Sequence, residues 1–293
     1  MRLDGRRSSG NIRDRRGMSG KTIGIGGGII GVIIAAVVTL MSGGGVGDVA
    51  QSVFNAMQQG EGVQTQQAVQ LDAEDQRLYD LSSKVLAGTE DVWTRIFREQ
   101  GWGEYKAPEM VIYSGSIQTG CGQGTAQTGP FYCSADETVY IDLDFFKTMQ
   151  SQIGASGDFC YAYVIAHEVG HHVQNLLGTL GEAHSAMSRL PEREANKISV
   201  CLELQADYYA GVWGHTDNEM FGSIEPGDIE NAINAASKIG DDYLQKKAYG
   251  YEMPESFNHG RSEWRVRWLS KGLKTGDASM SAADTFSGGY PPM

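Results

Sequence analysis

With 293 residues and a formal net charge of −12, the chain is long enough to close around one sizeable core. Its charge is uneven: residues 1–22 hold seven Arg or Lys against two Asp, a sum of +5, which leaves −17 for the remainder. A body that acidic excludes nucleic acid as a partner, because phosphate binding needs a clustered basic face.

The first expected unit is the basic segment 1–22. Residues 23–41, IGIGGGIIGVIIAAVVTLM, follow without a charge; as a helix they would span about 28 Å, enough for a bilayer core. Their glycines suit a membrane helix better than a soluble one. The length favours an uncleaved transmembrane anchor over the competing account, a cleaved signal peptide. Basic residues on one side only predict the N-terminus inside and the rest outside. Residues 42–70 are rich in Gly and Gln and read as a flexible linker. The main domain is expected over 71–293.

Within that domain, the stretch from Asp72 to Trp102 is expected as two amphipathic helices broken at Gly88, with Thr89 capping the second. EMVIYS and TVYIDLDF read as short strands, separated by a Gly-rich loop with Cys121 and Cys133. Helices are expected from Asp158 to about Leu177, about Pro191 to Trp213, Pro226 to Gly240 and Ser262 to Leu273. Helices, a few strands, then helices predict an α+β fold, mostly helical with a small sheet.

In DFCYAYVIAHEVGHHVQNLLG, His167 and His171 stand four residues apart, so on a helix both project from one face and can reach one ion. Zinc suits them: a catalytic site adds one further protein ligand and keeps a position for water. Glu168 lies where it can take a proton from that water. The surrounding residues are apolar, and buried polar groups there require partners.

From Ile198 to Gly214 the only charges are Glu203 and Asp207, again on one helical face. Such a pair in an apolar helix calls for a cation. Glu203 is the expected third ligand, and Asp207 is placed to accept from the outer nitrogen of a ligating histidine and fix its orientation. Solvated acids or an ion pair with an arginine are the alternatives for that pair. His172 is expected to point away from the pair, and His184 is a weaker rival ligand.

HEVGHH followed by ELQADYYAG resembles the HExxH plus ExxxD arrangement of the zincins related to HtpX and the CAAX prenyl proteases. It is more closely similar to the bacterial neutral zinc metallopeptidases of the YpfJ-like family. That family shares a basic opening, here RRSSGNIRDRRG, one membrane segment, and a late block seen here as SFNHGRSEWRVRWLSKG; Asn258 and Trp264 depart from its pattern. The resemblance spans nearly the whole chain. It implies a zincin-like fold with Glu203 as ligand. One zinc per chain is expected, and the anchor and its flanking charges predict a bacterial inner-membrane protein with its catalytic domain on the periplasmic side. His259, in the late block, either donates to the oxyanion of a tetrahedral intermediate or is a helix-entry residue bonded to backbone.

The expected function is a membrane-anchored zinc metalloendopeptidase acting on peptide or protein substrates, with Glu168 as general base. The alternative is a non-catalytic, zinc-stabilised envelope scaffold. The strand TVYIDLDF is expected to offer an edge for an extended peptide. In an oxidising compartment Cys121 with Cys133, and Cys160 with Cys201, are expected as disulfides.

Overall fold

The computed structural model describes residues 1–17, 72–126 and 128–291. The expected anchor at 23–41 and linker at 42–70 lie outside the described residues. Among the described residues, no helix is long and apolar enough to cross a membrane.

The α+β expectation holds: a helical body carries a small sheet on one side. Strand β1 (Ile12–Asp14) precedes helix α1 (Ala73–Gln100), and strands β2 (Glu109–Tyr113), β3 (Ser116–Thr119), β4 (Gly122–Thr125), β5 (Phe131–Cys133) and β6 (Thr138–Asp142) follow. The remaining α-helices are α2 (Asp144–Thr148), α3 (Asp158–Leu176), α4 (Thr179–Met187), α5 (Glu192–Phe221), α6 (Asp228–Lys238), α7 (Asp241–Tyr249) and α8 (Ser262–Thr275). The main sheet runs β1-β2-β6-β5, parallel except for the last pair, and β3 with β4 forms a separate ribbon. Every residue of β6 is buried, as an interior strand flanked on both sides requires. TVYIDLDF therefore offers no edge, contrary to the sequence expectation. The edge on that side is β5.

Helix α1 is one helix, where the sequence suggested two. Asp72 caps it reciprocally with Asp75, a capping box that meets two free N–H groups of the first turn. Gly88 sits buried within it. A Cβ there would lie 2.9 Å from both Arg6 Nη2 and Asp217 Oδ1. The glycine thus makes room for an ion pair; the helix continues because nothing at Gly88 interrupts its backbone bonds. Thr89 accordingly serves no cap, its hydroxyl donating back to the Leu86 carbonyl at 2.7 Å.

That ion pair belongs to the N-terminal segment. The sequence set residues 1–22 apart from the domain, yet residues 1–17 are integrated in it, with β1 extending the sheet along β2. Paired carboxylates and an open strand edge on the domain draw them in.

The core centres on α3, which is buried from Phe159 to Gly170 and packs between α1, α5 and the sheet. Helices α3 and α5 run antiparallel. Tyr163 and His167 meet Asp207, whereas Gln174, further on, donates to the Leu202 carbonyl at 2.7 Å. They approach closely at Gly170, where a Cβ would come within 2.9 Å of the Ala206 carbonyl oxygen.

Candidate metal centre

The antiparallel packing of α3 on α5 brings the two motifs together. His167, His171 and Glu203 each offer one ligand atom, all within 4.8 Å of one another. Glu203 Oε2 is 3.1 Å from His167 Nε2, and Oε1 is 3.4 Å from His171 Nε2. Both imidazoles thus turn Nε2 towards the carboxylate, and their other nitrogens are engaged elsewhere. His167 Nδ1 donates to Asp207 Oδ1 at 2.9 Å, and His171 Nδ1 donates to Gln174 Oε1 at 2.8 Å. Fixing the outer N–H selects the tautomer whose Nε2 lone pair faces a metal. Two imidazoles and one carboxylate converging this way fit a zinc ion with a fourth position open.

Asp207 is fully buried, at 0 % exposed, and it gathers more partners than the sequence indicated. Tyr163 donates its hydroxyl to Oδ1 at 2.6 Å. Arg265, 4 % exposed, donates from Nε to Oδ2 at 2.8 Å and from Nη2 to Oδ1 at 3.0 Å. Its Nη2 also stands 4.0 Å from Glu203 Oε2. The arginine comes from α8, in the late block, and the ion-pair alternative weighed for Glu203 and Asp207 is therefore realised alongside the histidine cluster. Arg265 was missed because its side chain reaches the site only through the packing of α8 on α5.

The charges explain the titration of the site. Burial opposes ionisation of Asp207, but Arg265 and His167 outweigh it and hold the carboxyl below its usual range. Burial likewise disfavours the Glu203 carboxylate, and the histidines, His171 first, bring it well below that range. His167 loses from burial but gains more from Asp207 and Glu203, and is pushed up to about 10.

A cavity of about 530 Å³ opens over these residues, bordered by His167, Glu168, His171, Glu203, His259 and Arg265. Glu168 lies beside the histidines at its wall, without belonging to the three-ligand cluster. Phe131 and Tyr132 of the edge strand β5 form another wall. Apolar side chains such as Phe145, Leu180, Met187 and Leu244 line much of the rest.

His259 sits in the turn between α7 and α8, where Asp241 Oδ2 accepts its backbone N–H at 2.7 Å and Oδ1 lies 3.3 Å from Nδ1. Its place at the cavity wall opposes its charge by desolvation, though half of the side chain is exposed, and Asp241, with help from Glu203, raises its pKa. It is held by a carboxylate rather than by backbone. His184, on α4, reaches the cavity but not the ligand cluster. His172 points to the other side of α3, its Nε2 donating to the Lys106 carbonyl at 2.6 Å while its Nδ1 accepts from the Tyr132 hydroxyl at 2.9 Å.

Cys121 and Cys133 are joined by a disulfide, which ties the loop at the cavity mouth to β5. Cys160 and Cys201 are free and buried, so the second expected disulfide does not form. In the antiparallel α3–α5 pair, Cys160 lies towards the Trp213 end and Cys201 towards the Gln174 end, roughly 20 Å apart along the helices, far beyond bonding reach. Burial pushes the Cys160 thiol up to about 12 and the Cys201 thiol to about 11.

Two imidazoles and a carboxylate converging in one cavity, with Glu168 beside them, make a candidate metal site. The chain belongs to the family described as "Putative neutral zinc metallopeptidase", whose profile matches residues 1–286. It is 42% identical over 283 residues to the Escherichia coli K12 protein named "Uncharacterized protein YpfJ", covering 94% of this chain and 96% of that one. Two mycobacterial proteins, "Uncharacterized protein Mb2605" of Mycobacterium bovis and "Uncharacterized protein Rv2575" of Mycobacterium tuberculosis, are each 43% identical over 193 residues, covering 62% of this chain and 64% of theirs. No solved structure matches.

Proposed function

We propose that this chain is a zinc-dependent endopeptidase that holds one zinc ion through His167, His171 and Glu203 and uses Glu168 as general base. The observation that carries the reading is the meeting of these three donors, drawn from two helices, in one cavity that Glu168 also borders. The family description supports it at the level of zinc peptidase.

When bound, zinc supplies Lewis acidity to the carbonyl under attack and to the attacking water. The chain's own groups do the rest. Glu168 takes a proton from the water as its oxygen adds to the peptide carbonyl, and returns that proton to the leaving nitrogen as the C–N bond breaks. His259 is oriented by Asp241 through Nδ1–H, and in the imidazolium form that Asp241 favours its Nε2–H is left to donate to the developing oxyanion. Arg265 is a positioning residue. By clamping Asp207 it fixes the hydrogen bond that orients His167, much as outer partners of ligating histidines do. The free edge of β5 borders the cavity and suits an extended peptide pairing by main-chain hydrogen bonds.

The test is incubation of the zinc-loaded full chain with a proteome-derived peptide mixture. New termini that vanish on chelation and return with zinc are expected. A mixture left intact by the zinc-loaded protein would refute peptidase activity and favour the scaffold reading.

A further inference from the structure

The basic N-terminal residues are the feature the catalytic reading leaves unused. In the sequence they look like free charges that would keep a tail in the cytoplasm. In the structure five of the arginines are engaged. Arg6 pairs with Asp217 at 2.9 and 3.3 Å, and the two side chains are 11 % and 1 % exposed; its guanidinium also lies 3.6 Å over the Phe221 ring. Arg7 pairs with Glu90 and Asp91, Arg13 with Glu109, and Arg2 donates to the Gly222 carbonyl. Ser9 and Asn11 both donate to Glu90.

The backbone is engaged as well. β1 pairs with β2 in register from Ile12 with Met110 to Asp14 with Ile112, and Arg15 N donates to the Ile112 carbonyl at 2.7 Å. Gly88 is the complementary device on the domain, since any side chain there would invade the Arg6–Asp217 pair. At the end of the segment Arg16, its side chain 3 % exposed, donates to the Asp75 carbonyl at 3.0 Å. The chain therefore leaves this body at residue 17 and rejoins it at residue 72 in the same neighbourhood.

We infer that residues 1–17 are a docked strap of the domain and lie on the same side of any membrane as residues 72–291. A single crossing between the two would place a bilayer across a strand pairing and a buried ion pair. Charges held in that way are also not free to retain a tail by the positive-inside rule, which counts charges flanking the span. The expected separation, with a cytoplasmic N-terminus and a periplasmic domain, is thereby replaced by one shared compartment.

The test uses the full chain in intact cells, with single cysteines introduced at the exposed positions Ser8 (Ser8→Cys) and Ser281 (Ser281→Cys). Labelling by a membrane-impermeant maleimide is compared before and after permeabilisation, above the signal of the unsubstituted chain. The two sites are expected to behave alike, both reactive from outside or both only after permeabilisation. One reactive before and the other only after would overturn the inference. Docking in solution is checked on purified full chain by exchanging the pair. Arg6→Glu and Asp217→Arg should each lower Tm, and their combination should recover part of the loss. An Arg6→Glu variant with unchanged Tm would also overturn it.

Discussion

Replacing Arg265 by Met tests whether the late block acts on the metal centre. The substitution removes two charge-assisted bonds to Asp207, at 2.8 and 3.0 Å, and leaves a fully buried carboxylate with only Tyr163 and His167 as partners. Breaking a buried pair from one side costs about 3–5 kcal/mol, a large share of the ~5–15 kcal/mol that holds a typical domain. The same loss frees Asp207 to move and loosens the orientation of His167. Zinc affinity is therefore expected to fall about 10- to 100-fold. Denaturant unfolding of the metal-free protein measures the first quantity, and competition with a chromophoric chelator measures the second. Adding Asp207→Asn removes the stranded charge, so the double variant should be more stable than Arg265→Met alone. A variant that loses stability yet binds zinc as tightly as wild type would refute the positioning role, as would strictly additive effects in the double variant.

Gly88→Ala should destabilise the protein although alanine gains about 1 kcal/mol over glycine in a helix, because the new methyl would displace Arg6 and Asp217; a raised Tm would contradict this. His167 is pushed up to about 10 in the metal-free site, so near pH 7 it carries a proton that a ligating imidazole must lose. Zinc affinity should then rise about tenfold per pH unit between pH 7 and that value, with about one proton released per ion by calorimetry in two buffers, and a pH-independent affinity would count against it. Reducing the Cys121–Cys133 disulfide, whose cysteines are 12 residues apart, should cost ~3 kcal/mol on the chain-entropy model and lower the reversible Tm; an unchanged Tm after full reduction would show that β5 and its loop hold themselves.

The candidate metal-ligating residues were legible because helical periodicity alone places His167 with His171 and Glu203 with Asp207 on single faces. The rest of the site depends on how helices cross, which periodicity does not reveal. Arg265 stands in an amphipathic helix that would look the same with a solvated arginine. Gly88 illustrates the opposite failure. Read locally it breaks a helix, whereas its role is set by Arg6, more than eighty residues away in sequence. The fold class followed from the order of patterned segments, but strand order did not, and so the edge beside the cavity was assigned to β6 instead of β5. The cysteines divide on the same ground: one pair lies close in a loop and its partner strand, and the other depended on the direction in which α3 and α5 pack.

Zinc held by His167, His171 and Glu203, with Glu168 as base, is tested by one comparison. Zinc content and peptide cleavage are measured together on wild type, Glu168→Gln and Glu203→Gln. Wild type is expected to carry about one zinc per chain and cleave, Glu168→Gln to keep its zinc while losing cleavage, and Glu203→Gln to lose both. Cleavage retained by zinc-loaded Glu168→Gln, or full zinc content in Glu203→Gln, would contradict it.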